Sequence, residues 1–460
     1  MLFFAYDDIT YNADQTHVAV RPNCQIPPGP NPPEPPRWYS CGNLVPMCLL
    51  ERGKLRCDRT ALLLSAGQPF VYPLELRFPL KGRLTADAAM APDLPVEVVA
   101  QVRIGRAIVL VWIGHEPLPL HLDDAGKTWA FDTIQKFIDD HELPPQQVWF
   151  VSGNVLAVHQ FASWLRNRGR CEPETFRFRT LAISPATVRM QYHANERGEE
   201  LNVSEHEDIW TFTLSSLGAA EFAERYIHPN EIAEEQRTGK VRPKRFLSMN
   251  RLPRHHRQVL VSYMHGKGLL DDSIVSFDAA PPELNDCCAF PVEQDFLRES
   301  WRALQPKLPL VIDRAAGVVS INFHRVAFGW PYRDAYINVV TETEIARDVS
   351  PINTEKLFKP MLNFQPFIAV STAHTLRYLW ATGFKGFSHL IDESYDQVLD
   401  PVERLVLILK QVERLGRMSL PEVRDLYFSC LPELEHNRAH LLEGHHELDD
   451  LFGDLEVQLG

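Results

Sequence analysis

The chain has no apolar run near the roughly 20 residues that a membrane-spanning helix needs. Its strongest such run, Ala107 to Ile113, has the length of a strand. The amino-terminal stretch MLFFAYDDITYN has no basic n-region and turns acidic at once, so it does not read as a secretory signal. Eight cysteines in 460 residues, none in a CxxC pair, exclude a disulfide scaffold and a zinc ribbon. A reducing, cytoplasmic setting is expected. No fixed-period repeat is present, which excludes solenoids and propellers. Positive charge is also short: 47 basic against 60 acidic side chains give −13, which speaks against a general nucleic-acid track. With 45% hydrophobic and 23% charged residues, the composition is that of a globular protein, and the length suggests two to four domains.

Proline is plentiful, with 35 residues, seven of them between Pro27 and Pro36. Such a stretch is stiff and extended and cannot enter a central strand, so it reads as a surface connector. Residues 1–95 as a whole read as an irregular, β-rich segment, with PFVYPLELRF (69–78) as a strand. Cys24, Cys41, Cys48 and Cys57 are widely spaced with no histidine among them and read as buried thiols.

From about residue 96 strands and helices alternate. The near-continuous apolar strands AIVLVWIG (107–114) and QVWFVSG (147–153) need cover on both faces. The segments 123–142 and 155–169 have helical spacing. This order predicts a parallel sheet with crossover helices in a domain spanning 96–235. A second series follows over 236–410: strands KRFLSMN (244–250), DSIVSF (272–277), AYINVVTE (335–342) and PFIAVS (366–371), with helices over 253–268, 354–363, 373–383 and 401–416. Residues 411–460 read as a helical, acidic tail. The expected fold class is α/β, with two Rossmann-like domains facing a cleft, a β-rich N-terminal extension and a helical C-terminus.

Two segments carry chemistry. Residues 236–257 hold eight Arg or Lys and no acid, so that the rest of the chain carries −21 against −13 overall. Within them Asn250 and Arg251 end a strand, Pro253 fits a first helical turn, and Arg254 and Arg257 lie one turn apart. Ligands of open α/β sheets bind where strands end and helices begin. There the free N–H groups and helix dipole favour anions, and arginine matches phosphate oxygens. The second segment runs from Thr341 to Asp400. In SPINTEKLFKP, Asn353 or Thr354 can cap a helix whose first turn holds Glu355 and Lys356. A lysine there can meet a phosphate and a carboxylate can bind a ribose diol, although an acid in a first turn is also a plain helix-dipole partner.

TEKLFKPMLNFQPFI, LRYLWATGFKGFSHLIDESYD and DPVERL resemble the carboxyl-terminal half of GT-B-type glycosyltransferases, close to the fucosyltransferase-like pattern and closer to bacterial and viral glycosyltransferase-like proteins. FLSMNRLPRHHRQVLV resembles the same group's Asn-Arg-x-x-Arg-x-x-Arg turn. The resemblance covers about 244–410, is weaker over 98–170, and does not reach 1–95 or the tail. It implies a glycosyltransferase with a nucleotide-sugar donor as substrate, no cofactor and no metal. Asn250, Arg251, Arg254 and Arg257 would hold the diphosphate, Lys356 a phosphate and Glu355 the ribose, with Glu342 and Thr343 lining the pocket. Basic side chains would stabilise the departing diphosphate.

Transfer with inversion needs a general base near the acceptor hydroxyl. GHEP (114–117) ends a buried strand, which offers Glu116, with His115 in reserve; an ordinary cap or ion pair is the competing reading. Asn154 is a candidate acceptor-side residue. Asp392, Glu393, Tyr395 and Asp396 read as a loop that fixes a domain edge. His436 and His440 have the i, i+4 spacing of a metal pair but lack a third ligand, and read with His445 and His446 as helix-surface histidines. The acceptor is open: glycan, protein, lipid-linked glycan or nucleic acid. Two alternatives stand beside this reading: a phage-type glycosyltransferase modifying DNA bases, and an inactive GT-B-like binding or scaffold protein.

Overall fold

The computed structural model describes residues 1–6, 8–11, 18–21, 55–75, 94–113, 128–152, 157–169, 175–180, 227–250, 253–278, 294–312, 329–345, 355–443 and 447–460. These form two compact units. One holds the described residues within Met1–Ser216 and His445–Gly460, the other those within Leu217–Val319 and Val326–Gly444. Each is built on a parallel sheet, so the chain is α/β and Rossmann-like, with a helical C-terminus.

The first unit contains β1 (Leu2–Tyr6), the hairpin β2 (Asp8–Tyr11) and β3 (Val18–Arg21), β4 (Leu55–Arg59), α1 (Thr60–Ala66), β5 (Phe70–Glu75), α2 (Val96–Arg103), β6 (Ala107–Ile113), α3 (Trp129–Asp140), β7 (Val148–Ser152), α4 (Ala157–Asn167) and β8 (Arg177–Thr180). Its six-stranded sheet runs β4-β1-β5-β6-β7-β8, parallel throughout. The apolar strands are continuous because side chains alternate between two covered faces. Ala107, Val109 and Val111 pack with Val98 and Val102 of α2 and Phe131, Ile134 and Ile138 of α3. Ile108 and Leu110 pack on the opposite face with Leu451, Phe452 and Leu455. The Thr128 hydroxyl accepts from Phe131 N at 3.0 Å and starts α3.

Two boundaries differ from the sequence expectation. Residues 1–95 do not stand apart as an extension: β1, β4 and β5 are integral to the first sheet. Strands of five or six residues beside a proline-rich stretch give little periodic signal. The last residues of the tail likewise form a helix whose apolar stripe covers the first sheet's second face. The acids Asp449, Asp450 and Asp454 around that stripe hide it in the composition.

The second unit contains α5 (Pro229–Thr238), β9 (Lys244–Met249), α6 (His255–Gly266), β10 (Ser273–Ser276), α7 (Gln294–Leu304), α8 (Gly329–Asp334), β11 (Ala335–Thr341), α9 (Glu355–Leu362), β12 (Phe367–Val370), α10 (Thr375–Ala381), α11 (Pro401–Gly416), α12 (Leu420–Ser429) and α13 (Leu431–Glu443); α14 (Glu447–Leu459) is the helix that joins the first unit. The sheet runs β10-β9-β11-β12, all parallel. All seven residues of β11 are buried. From β9 the chain passes to β10 on one side and later to β11 on the other, so the strand order reverses between β9 and β11. Open parallel sheets bind ligands outside the carboxyl ends of strands at such a reversal. The strands beside the equivalent reversal in the first sheet, β1 and β5, run at their carboxyl ends into residues outside the described set. Among the described residues no helix is long and apolar enough to cross a membrane.

Candidate functional site

At the carboxyl ends of β9 and β11, buried polar groups lock the two strands together. Asn250, 2% exposed, follows β9. Its backbone N–H donates to Ser276 Oγ at 3.0 Å. Its Nδ2 donates to Ser248 Oγ at 3.0 Å, and its Oδ1 accepts from Thr341 Oγ1 at 2.6 Å. Asn250 therefore fixes the spacing of β9 and β11 at the reversal point.

The first turn of α6 then grips the chain as it leaves β11. Arg257, nine-tenths buried, donates from Nη2 to the carbonyls of Thr341 and Glu342, both at 3.2 Å. His256 Nε2 donates to the Glu342 carbonyl at 2.9 Å. Arg254 Nη1 donates to the Thr343 carbonyl at 2.8 Å. Three consecutive carbonyls thus accept from three side chains of one helical turn, which satisfies backbone groups that the ladder no longer pairs. Burial, with the Arg257 charge next, pushes the His256 imidazole down to about 3. His256 is therefore a neutral donor and adds no charge. Arg254 is the N-cap of α6, and its side chain makes no capping bond to the helix. Pro253 lies just before that cap and not in the first turn.

Carboxylates share this edge with the cations. Glu342 is fully buried, and its Oε2 lies 3.4 Å from Lys356 Nζ. Lys356 is the second residue of α9, with 27% of its side chain exposed. Arg254 pairs with Glu344 Oε1 at 2.7 Å, and these side chains are 34% and 44% exposed. Arg254 and Lys356 therefore keep part of their surface toward solvent, while Arg257 is spent on the backbone. From the next layer the buried Arg404 of α11 donates to the carbonyls of Ser371 (3.0 Å), Ile345 (2.6 Å) and Leu399 (3.2 Å). It ties the segment after β11 to the end of β12.

Asn250, Arg254, Arg257, Glu342, Thr343 and Lys356 thus come together at one sheet edge. Glu355 opens α9. Arg251, His115, Glu116 and Asn154 lie outside the described residues. Sequence reasoning missed Glu344, His256 and Arg404. The alternating acids of VVTETE were a signal for Glu344; a histidine beside Arg257 on a buried helix and an arginine in an apolar helical stripe give only weak ones.

The other candidates have local partners. Asp396 accepts from Leu376 N (3.0 Å) and Arg377 N (2.9 Å) at the start of α10. Tyr395 Oη accepts from Ala369 N at 3.0 Å, and Glu393 accepts from Phe387 N at 2.9 Å. Burial pushes the Glu393 carboxyl up to about 7. Asp392 caps the turn that follows it by accepting from Ser394 N at 3.1 Å. His436 and His440 donate to the carbonyls of Gly383 (2.9 Å) and Thr382 (2.7 Å), closing the carboxyl end of α10. Among the described residues no group of three or more His, Cys, Asp or Glu side chains is placed to hold a metal ion.

No family model matches the chain, and no curated protein matches it. Among solved structures it is similar to the crystal structure of an alpha,alpha-trehalose-phosphate synthase (UDP-forming) from Burkholderia vietnamiensis. The two are 12% identical over 76% of this chain and 68% of that one, with a TM-score of 0.32. A likeness that distant carries nothing about function, so what the site can do is read from its own residues.

Proposed function

We propose that the chain is a glycosyltransferase of the GT-B type that moves a sugar from a nucleotide diphosphate to an acceptor, with the diphosphate held outside β9 and β11. One observation carries the reading: two part-exposed cations, Arg254 and Lys356, stand at the strand-order reversal of a parallel sheet, each at the start of a helix that follows a strand. Charge-assisted bonds from these side chains would bind the phosphates and stabilise the negative charge that develops on the leaving diphosphate. Asn250, Arg257 and His256 would position the edge, and Thr343 would line it. Glu342 would orient Lys356. Glu355 would meet the ribose and Arg251 a phosphate, while Glu116 or His115 would take the acceptor proton.

Calorimetry with a panel of nucleoside diphosphates tests the binding step. At least one should bind, and Lys356→Ala should weaken it about tenfold, the worth of one charged hydrogen bond. No binding to any of them by folded protein would sink the reading. Glu116→Gln should then lower kcat and leave donor affinity in place. A protein that binds a nucleotide diphosphate and shows no transfer or donor hydrolysis would be the inactive binding form.

A further inference from the structure

We propose that Glu344 is a built-in competitor: its carboxylate pairs with the Arg254 guanidinium, and one phosphoryl group of the incoming ligand displaces it. The inference rests on the phosphate-site reading above and concerns how that site sets its affinity.

The two carboxylates at this edge differ in what they are free to do. Glu342 is fully buried against Lys356. Glu344 lies two residues further on, with 44% of its side chain exposed, and the only hydrogen bond described for that side chain is the one from Arg254. Arg254 does not depend on Glu344 for its position, because the same Nη1 is anchored on the Thr343 carbonyl at 2.8 Å. If Glu344 swings away, the guanidinium stays and offers its remaining donors to a phosphate in the forked geometry that suits it. A part-exposed pair of this kind, held by a single carboxylate contact, is weak enough to exchange.

Charge points the same way. Among the described side chains Arg254, Arg257 and Lys356 contribute +3 and Glu342 −1, so these groups carry +1 with Glu344 in place and +2 once it has left. The second value matches the two negative charges of a diphosphate diester, the form a nucleotide sugar takes. A carboxylate that must be displaced also keeps weaker anions out.

The test is calorimetric titration of inorganic pyrophosphate into the full chain, as wild type, Glu344→Gln, Arg254→Ala and the double variant. Glu344→Gln should bind about fivefold tighter than wild type, the upper worth of an exposed pair, and the gain should vanish in the Arg254→Ala background. Equal or weaker binding by Glu344→Gln, with wild type binding normally, overturns the competitor and leaves the phosphate site standing. A gain that persists without Arg254 also overturns it, since Glu344 would then act only as bulk charge. Absence of pyrophosphate binding by all four overturns both. Should Glu344→Gln prove unstable, Glu344→Ala removes the same charge.

Discussion

The two ends of the four-stranded sheet each carry an arginine cluster, and they are built on opposite plans. At the amino end Arg242 is fully buried. Its Nε and Nη2 reach both carboxylate oxygens of Glu235 at 2.8–3.1 Å, and its Nη1 donates to the carbonyls of Tyr332 and Ala335. Its guanidinium packs 4.4 Å from the Tyr427 ring centroid and 5.2 Å from that of Tyr336. At the carboxyl end Arg254 and Lys356 are part-exposed and paired with carboxylates of the segment that leaves β11. A guanidinium saturated by a bidentate acid, two carbonyls and two rings has nothing left for a ligand. Part-exposed cations paired with carboxylates at a strand-order reversal can exchange partners. Count of positive charge is therefore a poor guide to a phosphate site; the exchangeability of its partners is a better one.

The comparison breaks first on stability. Arg242→Ala should cost about 3–5 kcal/mol in urea unfolding, because it strands Glu235 in a buried setting. Arg254→Ala should cost about 1–2 kcal/mol, because it removes a part-exposed pair and one bond to the Thr343 carbonyl. Comparable losses at the two ends would erase the distinction drawn here.

A smaller effect is read out by pH. His256 is held neutral, with its value near 3 against an ordinary 6.5. As pH falls below about 6.5 the unfolded chain takes up a proton that the folded chain refuses, so stability drops from there toward pH 3. Glu393 works in the opposite direction. Its value near 7 against 4.5 lets the folded chain keep a proton that the unfolded chain has lost, so stability drops as pH rises from 4.5 toward 7. Unfolding curves across pH should show His256→Gln flattening the acid limb and Glu393→Gln flattening the other. Variants that leave both limbs unchanged would contradict these assignments.

Much of the second unit was legible before the structure. β9, β11 and β12 are strand-length runs bounded by polar turns, and the segments for α6, α9, α10 and α11 follow them, so their order pointed to a parallel sheet. The meeting of β9 and β11 at a reversal point was not legible, because strand order is a long-range property. The site was legible as a location: Asn250, Arg254 and Lys356 were placed at strand–helix junctions. Their partners were not. Arg254 meets Thr343 and Glu344 across about 90 residues, and spacing alone does not separate an arginine that faces solvent from one, such as Arg257, that is spent on carbonyls. VEVVAQV illustrates a local limit. Its four valines favour a strand, but Val98 and Val102, four apart, bury one face of α2.

The central claim is that a nucleotide diphosphate sits outside β9 and β11. Hydrogen exchange measured with and without a saturating nucleoside diphosphate tests it most directly. The account predicts slowed exchange confined to Thr341–Ile345 and the first turns of α6 and α9, with no change around Arg242 and the start of β11. Protection centred on the Arg242 end, or none at either end with ligand bound, would contradict it.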